Sequence, residues 1–473
     1  MTNAVVVGSG PNGLAAAITL AERGIDVLVL EAADRVGGGT RTSELTVPGL
    51  LHDECAAFHP MGVASPFFQS LDLEREGLRW LWPEIQLAHP LDGGRAGLLW
   101  RSVEQTADGL GVDGPAWEQL MGRASRNFDA LSRDVFRPIL HVPSHPLELA
   151  RFGLSAALPA PWTARRWRAD EARALFGGLV AHKFGPLTGP LSSSVGLMLG
   201  AAAHAYGWPV AEGGTEAITR ALVARLARAG GRVETGVTVT SYDDLGGPDV
   251  LLLDTAPDAV ARIMGDRLPS RTRRAYRRYH FGPAAFKVDY AIEGDIPWEN
   301  PDLLRAGTVH LGGPLEEMAA TEARTARGEM PERPFVLLGQ QYLTDPLRSG
   351  GDSGLNPIYA YGHVPHAWRG DATDAITAQV ERFAPGFRER VRHVHVRDTR
   401  GMEAHNANHV GGDISAGANT ARQILMRPMI ARNPCVTGVP GVFICSSATP
   451  PGGGVHGMCG HNAALAALDW LRS

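Results

Sequence analysis

The chain has 473 residues, of which 44% are hydrophobic and 20% are charged, and its formal net charge is −5. This length predicts at least two domains, and the lack of a basic excess excludes the charge pattern of a nucleic-acid-binding protein. No apolar run is long enough for a transmembrane helix, and the first strand begins too early to leave room for a signal peptide. The four cysteines lack metal-ligand spacing. We therefore expect a cytoplasmic protein with reduced thiols and no metal site.

The first 42 residues predict a strand, a tight glycine turn, a helix and a second strand. Gly8, Gly10 and Gly13 form the pattern G-x-G-x-x-G between a short apolar strand and an Ala/Leu-rich helix. The first glycine permits the turn, the second lets a diphosphate approach the backbone, and the third lets helix and strand pack closely. Glu31 ends the second strand, where its carboxylate can accept hydrogen bonds from a ribose. The segment indicates a dinucleotide site at the N-terminus of the helix.

A second glycine turn follows directly, and its sequence indicates which dinucleotide the site binds. Residues 34–42 read D-R-V-G-G-G-T-R-T. This segment resembles the D-R-x-G-G-x-x-x-T signature of the flavoprotein superfamily that includes phytoene desaturases, amine oxidases and glutathione-reductase-type domains. The resemblance implies that the cofactor of this site is FAD, not NAD.

The chain changes character after residue 75. Residues 76–204 show helical periodicity interrupted by prolines and predict the helical part of a substrate domain. The apolar stretch 195–208 within it favours a buried core helix over a membrane contact. Residues 266–429 are rich in strand patterns and predict an antiparallel sheet that forms the floor of a substrate chamber.

Two later segments return to the first domain. Residues 209–239 predict a glycine turn, an amphipathic helix and a strand, and residues 249–254 predict a further buried strand. Residues 440–472 predict a strand over 442–445, a glycine-rich loop and a terminal helix whose N-terminus can face a flavin ring. The apolar face of the amphipathic helix is predicted to consist of Ala217, Ile218, Ala221, Leu222 and Leu226.

Residues 4–42, 205–262 and 440–472 together resemble, in order and spacing, the phytoene desaturase-like (phytoene dehydrogenase-related) FAD-dependent oxidoreductases of the flavin amine oxidase superfamily. The segments N-A-N-H-V-G-G-D-I-S-A-G at 406–417 and T-P-P-G-G-G-V-H-G-M-C-G at 449–460 are similar to that branch. The resemblance implies an α/β fold with a discontinuous, Rossmann-like (glutathione-reductase-type) FAD-binding domain. An inserted substrate domain of antiparallel sheet and helices completes the fold. The implied FAD-binding segments are 1–75, 205–265 and 430–473, and the implied substrate-binding segments are 76–204 and 266–429.

The resemblance also assigns the residues that would contact FAD. In the related flavoproteins, a valine in the strand after the amphipathic helix of the first domain reaches the adenine, and Val239 matches that position. Many relatives carry an acidic residue after the last flavin strand, whereas this chain reads Ser446-Ser447-Ala448. The implied FAD-binding residues are Gly8, Gly10, Pro11, Asn12, Gly13, Glu31, Ala32, Arg35, Gly37, Gly38, Gly39, Thr40, Arg41, Val239, Ser447, Gly454, Val455, His456 and Met458.

Two residues are candidates for moving protons at the flavin. Lys287 lies mid-strand in a chain with one other lysine, Lys183, and amine oxidases carry a lysine at a similar place. A desolvated lysine can act as a base or a proton donor, whereas a lysine at a sheet edge would extend to solvent without a catalytic role. His456 flanks the flavin-facing turn and is either a second proton carrier or a hydrogen-bonding wall residue.

The resemblance implies an enzyme that desaturates or oxidises a hydrophobic substrate, such as an isoprenoid, a polyene or an acyl chain, by hydride transfer to flavin N5. The electron acceptor, oxygen or a quinone, stays open, and a peripheral membrane contact is compatible with the helical insert. One alternative is a flavin amine oxidase, against which residues 455–458 provide no aromatic frame for the flavin. Another is a non-catalytic prenyl- or lipid-binding protein of the GDP-dissociation-inhibitor type, against which the glycine pattern is intact.

Overall fold

The computed structural model describes residues 2–350 and 353–473, and within them two large sheets organise the chain. The strands are β1 (Asn3–Val7), β2 (Asp26–Leu30), β3 (Thr42–Ser43), β4 (His52–Asp53), β5 (Trp80–Leu81), β6 (Ile85–Leu91), β7 (Arg95–Trp100), β8 (Val210–Ala211), β9 (Arg232–Glu234), β10 (Val250–Leu253), β11 (Ala284–Glu293), β12 (Ala306–Leu311), β13 (Val336–Gly339), β14 (Leu355–Val364), β15 (Val391–Arg397) and β16 (Val442–Ile444). The α-helices are α1 (Pro11–Ala21), α2 (Pro60–Val63), α3 (Pro66–Leu71), α4 (Val103–Gly109), α5 (Gly114–Trp117), α6 (Arg123–Arg126), α7 (Phe128–Val135), α8 (Pro146–Ala156), α9 (Ala160–Thr163), α10 (Asp170–Ala181), α11 (Ser192–Tyr206), α12 (Glu216–Arg228), α13 (Pro257–Met264), α14 (Ser270–Arg277), α15 (Leu315–Ala326), α16 (Thr373–Phe383), α17 (Phe387–Arg390), α18 (Thr399–His405), α19 (Ala421–Met426) and α20 (Met458–Arg472).

The first sheet is parallel and has the strand order β16-β10-β1-β2-β9. The central strand, β1, is apolar along its length because helices cover both faces of the sheet. On one face Val6 packs against α1, α12 and α20, and on the other face Val5 and Val7 pack against α13. The sheet draws its strands from three separate parts of the chain. The carboxyl ends of parallel strands meet at one edge, so the glycine turn, Glu31 and the loops after β10 and β16 come together there.

The second sheet has the order β15-β11-β14-β13-β12-β6-β7, and its neighbouring strands are antiparallel except for the pair β12 and β6. The predicted antiparallel sheet is confirmed in its main part, and the α/β fold with two sheets is confirmed. Residues 76–204 are mainly helical, as predicted, but β6 and β7 form a hairpin around the turn Asp92-Gly93-Gly94 that this prediction missed. An Asp-Gly-Gly turn between apolar runs is a hairpin signal.

Among the helices of the insert, α10 packs against β6 and β7 of the second sheet. The apolar stretch 195–208 lies mainly in α11, which is buried for most of its length and packs on α10, as predicted for a core helix. The predicted apolar face of α12 is buried. All four cysteines are buried free thiols. Within residues 2–350 and 353–473, none of the helices has the length and apolar character needed to cross a membrane.

Candidate active site

The first glycine turn lies between β1 and α1 and leaves the N-terminus of the helix open. Gly8 has φ +101°, a conformation that favours glycine, and a Cβ atom at Gly13 would overlap the carbonyl oxygen of Gly8. A Cβ atom at Gly10 would lie 2.9 Å from Oδ2 of Asp254. The N-cap residue Gly10 has no side chain to cap α1, but Oδ2 of Asp254 accepts a hydrogen bond from the amide of Gly13 in the first turn of the helix. The positive end of α1 lies at this turn, where it would stabilise an anion such as a diphosphate.

The Glu31 carboxylate is fixed at the same edge of the sheet. It accepts hydrogen bonds from the amide of Ser9 (2.9 Å), the hydroxyl of Ser9 (2.5 Å) and the amide of Ala33 (2.9 Å). The next residue in the chain, Ala32, is exposed. These bonds hold the carboxylate in one orientation beside the glycine turn. A carboxylate so placed can accept hydrogen bonds from ribose hydroxyls, as the sequence predicted.

The second glycine turn rests directly on the first. A Cβ atom at Gly38 would lie 3.1 Å from the Cα atom of Gly10, and Gly37 has φ +115°. Arg41 is buried and donates hydrogen bonds to the carbonyl oxygens of Val36, Arg35 and His405. These bonds stabilise the second glycine turn.

Three further residues of this turn are held by neighbours. Arg35 donates to Ser43 and to Glu216 of α12, Thr40 hydrogen-bonds Thr219 of α12, and Gly39 faces Cys55. The structure thus brings both turns and α12 together. Direct contacts of Arg35, Thr40 and Arg41 with FAD stay predictions.

The loop after β16 closes the site from a third side. Nδ2 of Asn12 donates to Oγ of Ser447 over 3.0 Å, and Oδ1 of Asn12 is buried without a partner among the described residues. The hydroxyl of Ser447 therefore contacts the start of α1, and its contact with FAD stays a prediction. The helix α20 packs on α1 through Gly460, where a Cβ atom would overlap the backbone of Asn12. Gly454 has φ +128°, and Val455 contacts α2 through Gly62 in the turn that leads to Met458, the first residue of α20.

These features fit a binding site for FAD better than a glycine turn with only a structural role. The two glycine turns are in contact, the N-terminus of α1 lies at the first of them, and Asn12 carries an orphaned buried acceptor. The residues present would hold the diphosphate at the first turn and the ribose at Glu31. The loop 452–454 and the N-terminus of α20 would border the ring end.

The prediction that Val239 lies in the strand after α12 was wrong. That strand, β9, ends at Glu234, and the amide of Val237 donates to the carbonyl oxygen of Glu31 over 2.8 Å. Val237 is therefore joined to Glu31 through the backbone, and the contact of Val239 with the adenine stays a prediction.

Asp254, which the sequence analysis did not select, is buried against the first glycine turn. Its Oδ2 accepts a hydrogen bond from the amide of Gly13 (2.8 Å), and its carbonyl oxygen accepts one from Nδ2 of Asn408 (3.0 Å). Burial raises the pKa of Asp254 to about 7, although the Gly13 amide opposes this effect. The sequence signal that could have identified Asp254 is its position at the end of the buried strand β10, which is parallel to β1.

We expect FAD binding to depend on the protonation of Asp254. Because its pKa is raised, the folded apoprotein loses stability as pH rises from about 4 to about 7. A nearby diphosphate would favour the neutral acid further, so FAD affinity is expected to fall by up to ~10-fold per pH unit above about pH 7. Fluorescence titration of apoprotein with FAD at several pH values measures this slope.

The matched variant for this prediction is Asp254→Asn, which keeps the acceptor for Gly13 and cannot ionise. Its FAD affinity should show no such slope between about pH 6 and pH 8. An identical slope in wild type and variant, or a flat wild-type profile, would show that another group controls binding.

Lys287 is buried in the second sheet, with 1% of its surface exposed. Its strand β11 lies between β15 and β14, so the alternative of an edge lysine that extends to solvent is wrong. Nζ of Lys287 contacts the carboxylate of Asp289 and lies 4.4 Å from the centre of the Tyr359 ring. Burial lowers the pKa of Lys287, and Asp289 opposes this shift. The structure therefore holds an amine that can exchange a proton in a water-poor place.

The environment of Lys287 connects it to the cofactor turns. The hydroxyl of Tyr359 donates to the carbonyl oxygen of Cys55, whose side chain faces Gly39 of the second glycine turn. Asp289 lies 3.5 Å from Nδ1 of His52 and from Nδ1 of His395. Burial would raise the pKa of Asp289, but Lys287 and the two histidines hold it well below its usual range. The ionised carboxylate positions Lys287 on the sheet face directed to the turns.

His456 occupies a different environment from Lys287. Its Nδ1 accepts a hydrogen bond from the amide of Met458 (3.0 Å), and its ring meets Phe136 edge-on at 5.4 Å. Burial lowers the pKa of His456 to about 4, so the imidazole is neutral near pH 7. This geometry favours a role in fixing the start of α20, and proton transfer by His456 stays a prediction.

Lys183, the other lysine, is also buried. It follows α10 and is 4% exposed. Burial lowers the pKa of Lys183 to about 8, and Glu322 opposes this shift. Both lysines of the chain are therefore interior groups, and the exposed cations are arginines. The scarcity of lysine is the sequence signal that could have identified Lys183 as well as Lys287.

Comparisons with known proteins agree with this geometry. Residues 6–71 match the model of the NAD(P)-binding Rossmann-like domain. The chain is 23% identical to pyridine nucleotide-disulfide oxidoreductase domain-containing protein 2 of Rattus norvegicus, over 98% of this chain and 92% of the rat protein. A segment of 42 residues, 9% of this chain and 8% of the other, is 62% identical to flavin-containing amine oxidase A of Canis lupus familiaris.

A solved structure of putrescine oxidase bound to putrescine superimposes with a TM-score of 0.60 at 18% identity, covering 100% of this chain and 99% of that one. These matches do not single out the phytoene desaturase-like branch. They support FAD as the cofactor and identify the chain as one with a Rossmann-like dinucleotide-binding domain and the two-sheet fold of flavin amine oxidase-type structures.

Proposed function

We propose that this protein is an FAD-dependent oxidoreductase that oxidises or desaturates a hydrophobic substrate such as an isoprenoid, a polyene or an acyl chain. The observation that carries the proposal is the pair of glycine turns in contact, with the orphaned acceptor of Asn12 and the fixed carboxylate of Glu31 beside them. When bound, FAD supplies the electron-accepting ring.

The chain's own residues provide binding, exclusion of water and a proton carrier. The sheet face near Lys287 carries Tyr359 and Tyr361, which belong to the same buried apolar cluster as Ala57 and Phe184. Such a surface favours apolar substrate atoms and excludes water, which strengthens electrostatic interactions inside the site. Lys287 would accept or return a proton there, and Asp289 would hold its amine in place.

One observation supports a hydrophobic substrate rather than an amine. The turn before α20 contains Val455, His456 and Gly457, and His456 is directed to Phe136 instead of framing a ring. Amine oxidation stays the second candidate because putrescine oxidase and amine oxidase A are among the similar proteins. A non-catalytic lipid-binding role is the third, and it predicts no bound flavin.

We expect the purified protein to be yellow and to release FAD on denaturation. The expectation follows from the two glycine turns and from the N-terminus of α1 at the first turn. Absorption spectra and chromatography of the released cofactor measure this, with FMN as the control because it lacks the adenosine half that Glu31 would bind. A protein that stays colourless after addition of FAD would refute the enzyme and favour the lipid-binding role.

A further inference from the structure

Residues 137–168, in the helical part of the second domain, expose a group of large apolar side chains. Val142 is 89% exposed, Leu154 is 76% exposed and Trp162 is 58% exposed. Soluble proteins rarely expose many such side chains in one place unless they bind a partner or a membrane. We define the apolar patch as Ile139, Leu140, Val142, Leu147, Leu154 and Trp162.

The helix α8 in this region is apolar on both sides. Leu149 and Phe152 pack inward against the core, whereas Leu147 and Leu154 are exposed on the outside. The exposed residues of α8 include these two leucines and Arg151, a combination that suits a helix at a membrane interface. Because Leu147 is 70% exposed and Leu154 is 76% exposed, their side chains are available to an external apolar phase.

The loop before α8 is held in a defined conformation. The carboxylate of the buried residue Asp134 accepts hydrogen bonds from the amides of Ser144 (2.8 Å) and His145 (2.9 Å), and its Oδ1 lies 3.1 Å from Nε2 of His141. These bonds fix both sides of the loop that carries Val142. The exposure of Val142 is therefore a consequence of ordered structure.

The charge around the patch is positive, although the net charge of the chain is −5. Within residues 133–168 there are six arginines and two acidic residues. Asp134 is engaged by the loop, and the second acidic residue, Glu148, is paired with Arg123 (2.8 Å) and Arg151 (3.1 Å). The arginines of this segment, all exposed, are Arg133, Arg137, Arg151, Arg165, Arg166 and Arg168.

Trp162 and Arg165 combine both properties. The guanidinium of Arg165 lies 5.4 Å from the centre of the exposed Trp162 ring. Tryptophan is favoured at the boundary between lipid head groups and acyl chains, and arginine can bind lipid phosphates while its stem stays in apolar surroundings. The pair thus matches the chemistry of a bilayer surface more closely than that of a protein partner.

We propose that the apolar patch docks this protein onto the surface of a bilayer that contains anionic lipids. The patch side chains enter the boundary between head groups and acyl chains, and the surrounding arginines bind lipid phosphates. The docking is peripheral and does not depend on the proposed redox function, so it can be tested on the purified protein as it is.

Co-sedimentation with vesicles tests the proposal. Wild-type protein is expected to bind vesicles of phosphatidylcholine and phosphatidylglycerol, to bind phosphatidylcholine alone less well, and to lose binding as salt rises. The triple variant Leu140→Ser, Leu147→Ser, Leu154→Ser should lower the partition coefficient at least ~10-fold, because three apolar side chains no longer enter the bilayer. The matched control is Val112→Ser with Leu347→Ser, two exposed apolar residues outside the patch, and it should bind like wild type.

Two results would overturn the proposal. One is equal sedimentation of the triple variant and the wild type, or no binding of the wild type to either vesicle. The other is a concentration-dependent dimer in sedimentation analysis without lipid that the triple variant loses, which would make the patch an interface between two copies. Unchanged circular dichroism of the triple variant excludes misfolding as the cause of lost binding.

Discussion

Replacing Gly10 with valine is expected to abolish retention of FAD while leaving the fold intact. Gly10 has φ −65° and ψ 170°, a conformation that any residue can adopt, so the backbone tolerates the change. A Cβ atom there already lies 2.9 Å from Oδ2 of Asp254, and the two methyl groups of valine would add bulk at the turn that would hold the diphosphate. We expect FAD affinity to fall about 100-fold or more, which corresponds to ~3 kcal/mol.

The matched control is Gly109→Val, since a Cβ atom at Gly109 meets no atom within 4 Å. Cofactor content after gel filtration and the thermal midpoint of the apoproteins measure the effect. Gly13→Val is unsuitable because its Cβ atom would overlap Gly8 and disturb the packing of α1. Retention of FAD by Gly10→Val with wild-type affinity would remove the first glycine turn from the cofactor site.

Replacing Lys287 with methionine is expected to slow one half-reaction of the flavin by about 100-fold, the scale of a positioned proton-transfer group. The variant removes the amine and keeps most of the side-chain volume. It also leaves the buried carboxylate of Asp289 without its cation, which is expected to destabilise the fold by about 3 kcal/mol. The imidazoles of His52 and His395, each 3.5 Å away, would offset part of this loss.

The double variant Lys287→Met, Asp289→Asn separates the structural effect from the catalytic one. It should recover most of the lost thermal stability, because no buried charge stays unpaired, but it should not recover the rate. Reoxidation of the chemically reduced flavin in stopped flow, together with thermal unfolding, measures both quantities without a known substrate. If the double variant regains stability and the wild-type rate, Lys287 belongs to the structural frame alone.

Several features of the cofactor domain could be predicted because their signals lie within a few residues. Gly8, Gly10 and Gly13 stand at the end of β1 and at the start of α1, and each spacing reflects one turn or one helix contact. Glu31 follows β2 directly. The apolar face of α12 repeats with the helical period, and burial of that face needs no knowledge of the partner.

Other features depended on contacts between distant parts of the chain. The hairpin β6–β7 joins the second sheet through a parallel contact with β12, more than two hundred residues later. Its Asp-Gly-Gly turn was present in the sequence, but the surrounding helical pattern outweighed it. Asp254 has the local pattern of an ordinary strand end, and only the neighbouring position of β1 makes it part of the cofactor site.

The sequence by itself determined the glycine turn between β1 and α1 and the acidic residue that follows β2. The tertiary structure alone decided that both lysines are buried, that Lys287 is paired with Asp289, and that Leu147 and Leu154 of α8 are exposed. The physical reason is that periodicity shows which residues avoid water, whereas the partner of a buried charge or of an apolar face depends on the path of the whole chain.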